Sequence, residues 1–255
     1  MTLFQLSSPN HASKASVPSG MRVYAIGDIH GRVDLLRRLH DMIRIDLSEA
    51  RNGDLPSDHI IVYLGDYVDR GIHCPELIDL LLDDPLDGVS TFFLRGNHEQ
   101  KVIDFLVDTE IGPDWVFWGG DSTLRAYGVD IEDPAFGQQG WSWVQERFRE
   151  GLPARHLSFL KSTISCHVVG DYYFVHAGVK PGVPLNGQVP ADQLWIRGEF
   201  LDSNEDFGKI IVHGHSIVGD VEVHANRIAV DTGAWRTGKL SSLVLEGNQM
   251  HVLQT

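Results

Sequence analysis

Two carboxylates and a guanidinium fall within the stretch Gly65-Asp66-Tyr67-Val68-Asp69-Arg70-Gly71, directly after the apolar run Ile60 to Leu64. Such a run reads as a buried strand. Asp66, Asp69 and Arg70 are then left on a loop at the strand's end, where α/β sheets place their ligands. Neighbouring carboxylates repel one another unless a cation stands beside them. The same form recurs along the chain. Arg22 to Ile26 runs into Gly27-Asp28-Ile29-His30-Gly31. Asp28 and His30 are two apart, face one way in extended backbone, and would make half of a divalent-metal site. Thr91 to Leu94 runs into Arg95-Gly96-Asn97-His98-Glu99. Further on, Tyr172 to Val175 ends in His176-Ala177-Gly178, and Ile210 to Val212 leads into His213-Gly214-His215. Repeated oxygen and nitrogen donors at strand ends point to metal-assisted chemistry.

The elements that must hold these loops are legible from periodicity. Val33 to Leu47 places Leu35, Leu36, Leu39, Met42 and Ile43 on one stripe with Arg37, Arg38 and Asp41 between them, which predicts an amphipathic helix. Pro75 to Leu82 predicts a second helix ending near Pro85. Strand-loop-helix units in succession favour an α/β sheet covered by helices. From Gln100 to Leu160 the pattern changes to a helical insertion carrying Trp115, Trp118, Trp141 and Trp143. It reads either as a substrate-gating cap or as an aromatic core. Strands resume at Ile164 to Val169 and Tyr172 to Val175, with Gly170-Asp171 as a tight hairpin turn. Arg227 to Val230, Leu240 to Leu245 and Met250 to Leu253 follow, with Gly247-Asn248 marking the last hairpin.

The chain has 255 residues, 42% of them hydrophobic, enough for a sizeable core. Residues 1–20 predict a flexible tail, and 21–255 one catalytic domain with the insertion at about 100–160. A net charge of −14 leaves no electrostatic footprint for nucleic acid or an anionic membrane surface. No apolar run reaches the roughly 18 residues that span a bilayer. Cys74 and Cys166 make no disulfide framework. A cytoplasmic protein is the expectation.

The motifs GDIHG (27–31), GDYVDRG (65–71) and RGNHE (95–99), followed by HAG (176–178) and HGH (213–215), resemble the phosphoprotein phosphatase family of metallophosphoesterases. The first three are highly specific, and the resemblance runs from about residue 22 to 245. It implies a two-sheet β-sandwich flanked by helices. It also implies that Asp28 and His30 hold a first metal ion, that Asp66 bridges, and that Asn97, His176 and His215 hold a second. Mixed oxygen and nitrogen donors suit Mn2+, Fe or Zn2+ without choosing between them, and Mn2+ is the ion expected. By the same resemblance a metal-activated hydroxide attacks phosphorus, Arg70 and Arg197 clamp the phosphate, and His98 protonates the leaving oxygen with Asp69 orienting it. His213 is left without a settled role, and Arg95 reads as structural. His40, His59, His156 and His224 read as surface or core residues. The implied substrates are phosphoserine and phosphothreonine in proteins. A symmetrical dinucleoside tetraphosphate or a small phosphate ester is the alternative. Asp69 and Glu99 favour the protein phosphatase side.

Overall fold

A computed structural model describes residues 4–5, 15–50 and 58–255. Its strands are β1 (Phe4–Gln5), β2 (Met21–Ile26), β3 (Asp58–Tyr63) and β4 (Val89–Phe93), then β5 (Cys166–Val169), β6 (Tyr172–Val175), β7 (Ile210–His213), β8 (Glu222–Val223) and β9 (Arg227–Ala229), and finally β10 (Ser241–Glu246) and β11 (Gln249–Gln254). They form two mixed sheets, ordered β1-β11-β10-β2-β3-β4 and β5-β6-β7-β9-β8. In the first, β2, β3 and β4 run parallel, with Val23 opposite Ile60 and Ile61 opposite Thr91. In the second, β6, β7 and β9 run parallel. Most of the polar clusters picked out by sequence follow one of these parallel strands.

Side chains alternate between the two faces of each strand, and where both faces are covered both sets are apolar. Val23, Ala25, Val62 and Leu64 face Phe174, Val212, Ile228 and Val230 in a core between the sheets. Their neighbours Tyr24, Ile26, Ile61 and Tyr63 turn to the helices. On the far side of the second sheet, Tyr173, Val175 and Ile211 meet Phe200. The fold is therefore the expected two-sheet sandwich flanked by helices.

Helix α1 (Val33–Ala50) buries Leu35, Leu36, Leu39 and Ile43 and exposes Arg37 and Arg38, as the period requires. Helix α2 (Cys74–Asp83) packs beside it. The segment read as an insertion is helical: α3 (Asn97–Phe105), α4 (Gly112–Trp115), a π-helical turn at Val116–Gly120, α5 (Asp121–Ala126), α6 (Pro134–Gly151) and α7 (Ala154–Ser162). Gly140, at φ +67°, breaks α6 internally. Val102, Phe105, Trp115, Leu124 and Phe148 join the same buried cluster as α1 and α2. The two readings of this segment divide between its tryptophans: Trp115 is fully buried, whereas Trp118 is 40% exposed.

At the N-terminus Val17 is buried and its N–H donates to Gly247 O at 3.0 Å. Residues 15–17 of the expected tail are thus packed, and 1–3 and 6–14 lie outside the described residues. Among the described residues no helix is long and apolar enough to cross a membrane.

Candidate metal centre

Five non-glycine residues have positive φ among those described: His30 (48°), Asp66 (54°), Asp69 (69°), Arg70 (67°) and His215 (60°). All five are residues singled out by sequence. Left-handed backbone costs an L-residue about 1 kcal/mol or more, and it gathers where surrounding structure holds a site in shape. Two glycines make room. A Cβ on Gly96 would stand 2.0 Å from Asp66 Oδ1, and one on Gly214 would stand 2.1 Å from Asp28 Oδ1.

Asp66 sits at the centre. Its Oδ2 lies 3.4 Å from His30 Nε2 and 3.8 Å from His98 Nε2, while its Oδ1 lies 3.5 Å from His176 Nε2. Two donor groups therefore share it: His30, Asp66 and His98 on one side, and Asp66, His176 and His215 on the other, with the ligand atoms of each group within 4.8 Å of one another. The imidazoles are set for metal. His30 Nδ1 donates to Val68 O and His176 Nδ1 to Leu64 O, both at 2.8 Å. Each neutral ring then turns the lone pair of Nε2 inward. His176 Nε2 meets Asn97 Oδ1 at 2.9 Å, so two acceptors face each other across a gap that a cation would satisfy. His215 Nε2 is buried with no hydrogen-bond partner. This donor set fits divalent ions.

The charges agree with that fit. Burial pushes the Asp28 carboxyl well up, helped by Asp231 and then Asp66. Burial also acts to raise Asp66, but His176, His98, His30 and His215 together hold it below the usual carboxylate range. Burial lowers His215 to about 2, with His176 beside it acting the same way. Neutral imidazoles around crowded carboxylates are what a metal ligand set requires.

Asp28 stands somewhat apart. It belongs to neither three-donor group, and its two oxygens accept the His215 N–H at 3.2 and 3.0 Å. His98 stands in the first group, although the sequence reading gave it proton transfer. Its Nδ1 donates to Asp69 Oδ2 at 2.7 Å. Arg70 lies over the Trp235 ring at 5.1 Å and donates to His30 Nε2 at 2.9 Å. Arg197 is exposed, reaches Ser216 Oγ at 3.4 Å, and lies near enough to lower His176 and His215. Arg95 ties down the end of α7 through Thr163 Oγ1, Thr163 O and Lys161 O. His213 packs edge-on against Phe200, on the side of the second sheet that carries Ile211, and belongs to neither donor group.

Two acids take roles that the sequence reading did not give them: Glu99 was used there only to choose between substrates, and Asp231 was not singled out. Glu99 is fully buried and accepts N–H groups from Asp66, Tyr67, Val68 and Gly96. Burial and the Asp66 charge push it up to about 7. Asp231 follows β9, is buried against Asp28, and is pushed up to about 6 by burial, against the lowering effect of the Gly233 N–H. Its signal was present: an apolar strand, then a carboxylate, then a glycine two residues on.

Comparison with known proteins gives a consistent picture. The family model described as calcineurin-like phosphoesterase matches residues 21–235. Serine/threonine-protein phosphatase 2 of Escherichia coli (strain K12) is 27% identical over 234 residues, covering 86% of this chain and 90% of that protein. Bis(5'-nucleosyl)-tetraphosphatase PrpE [asymmetrical] of Bacillus cereus (strain B4264) is 26% identical, covering 88% of this chain and 90% of its own. The crystal structure of a cold-active protein-tyrosine phosphatase of a psychrophilic Shewanella superposes with a TM-score of 0.54 at 18% identity, covering 98% of this chain and 89% of that one. At that identity the likeness speaks for the fold alone.

Proposed function

The chain belongs to the calcineurin-like phosphoesterase family and is a metal-dependent phosphoesterase; we propose that it hydrolyses phosphate monoesters, in the first place phosphoserine and phosphothreonine in proteins. The observation that carries this reading is the buried pair His98 and Asp69, joined at 2.7 Å. A serine alkoxide is a poor leaving group and needs a proton as it departs. A nucleotide leaving from a polyphosphate anhydride is already a good one and gains little.

Bound divalent ions supply a water acidic enough to attack at neutral pH and offset the developing charge. His30, Asp66, Asn97, His176 and His215, with Asp28 against the backbone of His215, are the residues we assign to hold them. The two faces of Asp66 support a pair of ions, and Mn2+ is the ion we expect, with Fe or Zn2+ as alternatives. Arg70 and Arg197 present forked donors that match phosphate oxygens. His98 Nε2 faces the centre and is the proton donor in this reading. Its charged form is favoured because Asp66 and Asp69 more than offset the effect of burial.

A second reading is hydrolysis of a dinucleoside tetraphosphate, supported by the relative named as an asymmetrical tetraphosphatase and by exposed rings near the site, Trp118 and Trp235. The deciding experiment is kcat/KM of the Mn2+-loaded protein on a phosphoserine peptide, an aryl phosphate and a dinucleoside tetraphosphate. The protein-phosphatase reading expects the peptide to be cleaved with at least the efficiency of the others. Turnover confined to the dinucleotide would overturn it in favour of the second reading.

A further inference from the structure

We propose that Trp115 and Thr123 are positioning residues for proton transfer, fixing Asp69 so that Asp69 can fix His98. This rests on the reading of His98 as the acid. Asp69 is fully buried, and among the described residues its carboxylate makes no ion pair with Lys or Arg. Instead the helical segment closes on it from three directions. Trp115 Nε1 donates to Oδ2 at 2.9 Å, the oxygen that also receives His98 Nδ1. Thr123 Oγ1 donates to Oδ1 at 2.6 Å and accepts the Asp69 N–H at 2.8 Å. The Arg70 N–H next in sequence donates to Gly119 O at 3.0 Å.

The chemistry explains why this matters. A carboxylate with two neutral donors keeps its negative charge available to the imidazole, and both oxygens lose their freedom to rotate. His98 Nδ1–H is then held in one direction, and Nε2 is aimed at Asp66 and the centre. The local backbone serves the same end. The π-helical turn Val116–Gly120 brings Trp115 and Thr123 to one side. A Cβ on Gly120 would stand 2.4 Å from Trp115 Nε1, so glycine is required where the indole N–H passes to Asp69. The segment read as either a cap or an aromatic core therefore reaches Asp69, the partner of the proton donor.

Trp115→Phe keeps an aromatic ring and removes the donor together with part of the indole's volume, so it is read beside Thr123→Val, which changes no volume. Thr123→Val keeps shape and removes the hydroxyl, whereas Thr123→Ser keeps the hydroxyl. Each is measured beside His98→Asn for metal content and for kcat on a phosphoserine peptide and a nitrophenyl phosphate. General acid assistance is typically worth about 10²–10⁴-fold, and losing its orientation should cost about 10-fold of that. We expect Trp115→Phe and Thr123→Val to keep their metal, lose about 10-fold on the peptide, and lose under about 2-fold on the aryl ester. Thr123→Ser should retain the wild-type ratio. In the metal-free protein the hydrogen-bonded Nδ1 proton of His98, followed by 15N-edited NMR, should be protected from solvent exchange in wild type and Thr123→Ser. In Trp115→Phe and Thr123→Val it should exchange faster. Selective loss in His98→Asn with equal losses on both esters in Trp115→Phe and Thr123→Val would overturn this inference alone. Equal losses on both esters in His98→Asn would overturn the acid reading and this inference with it.

Discussion

Glu99 accepts the backbone N–H of Asp66 at 2.9 Å across 33 residues of sequence. The same side chain takes Tyr67 N–H and Gly96 N–H, so one carboxylate holds two loops in register. Glu99→Gln turns half of that acceptor into a donor aimed at N–H groups. Leaving buried donors unmatched costs about 1–3 kcal/mol each, so a loss of about 3 kcal/mol is expected. Urea unfolding of the metal-loaded protein measures it. A variant within about 0.5 kcal/mol of wild type would mean the loops hold without this clamp.

Metal removal should abolish activity, and Mn2+ should restore it. Elemental analysis of the reloaded protein is expected to find two ions per chain, since Asp66 faces two donor groups. Asp66→Asn should lower metal content and cut turnover about 100-fold or more together. Full occupancy with normal turnover in that variant would remove Asp66 from its bridging role.

Trp118 is the place to look for substrate choice. Its ring meets Trp195 edge-on at 6.5 Å, and Trp195 meets His215 at 6.3 Å, so a row of rings leads outward from the centre. Trp118→Ala should change the ratio of kcat/KM between peptide and aryl substrates about 3–10-fold, the scale of one lost aromatic contact, with metal content unchanged. An unaltered ratio would assign Trp118 to packing.

His40 gives a pH dependence away from the site. It is buried on α1, its Nε2 lies 2.7 Å from the Tyr63 hydroxyl, and burial lowers it to about 4. The neutral ring is favoured by folding. The unfolded chain therefore binds a proton first as pH falls below 6.5, and stability drops from there toward pH 4. The full contribution is about 3 kcal/mol. His40→Gln should flatten the curve of unfolding free energy in that window by up to one proton's slope, and should leave it unchanged above pH 7. Parallel curves for the two proteins would show that His40 titrates alike in both states.

The strand ends announced the centre because a strand-turn-glycine pattern is local, and each turn carries its donors within two or three residues. Asp66, His30, His176 and His215 were legible for that reason. The clamping role of Glu99 was not visible, because three of its four backbone partners lie 31 to 33 residues earlier. Trp115 and Thr123 were read as part of a cap or a core for the same reason: their link to Asp69 spans 46 and 54 residues. Sequence periodicity also fixed which residues of α1 are buried, but it could not foresee that β10 would lie between β11 and β2, since pairing across more than 200 residues leaves no local trace.

That last pairing sets the order in which the molecule can be completed as it is made. Asp28, Asp66 and Asn97 leave the ribosome early, and 118 residues separate Asn97 from His215, a delay of about 6–24 s at ordinary elongation rates. β10 arrives later still. Its residue Ser241 receives the Gly27 N–H at 3.1 Å, beside the first acid of the centre. A chain made only as far as Asn97 thus lacks the imidazoles of His176 and His215 on one side of Asp66, and the strand that pairs with the free edge of β2. His215 and the strand that backs Gly27 are therefore among the last parts of the candidate centre to be made.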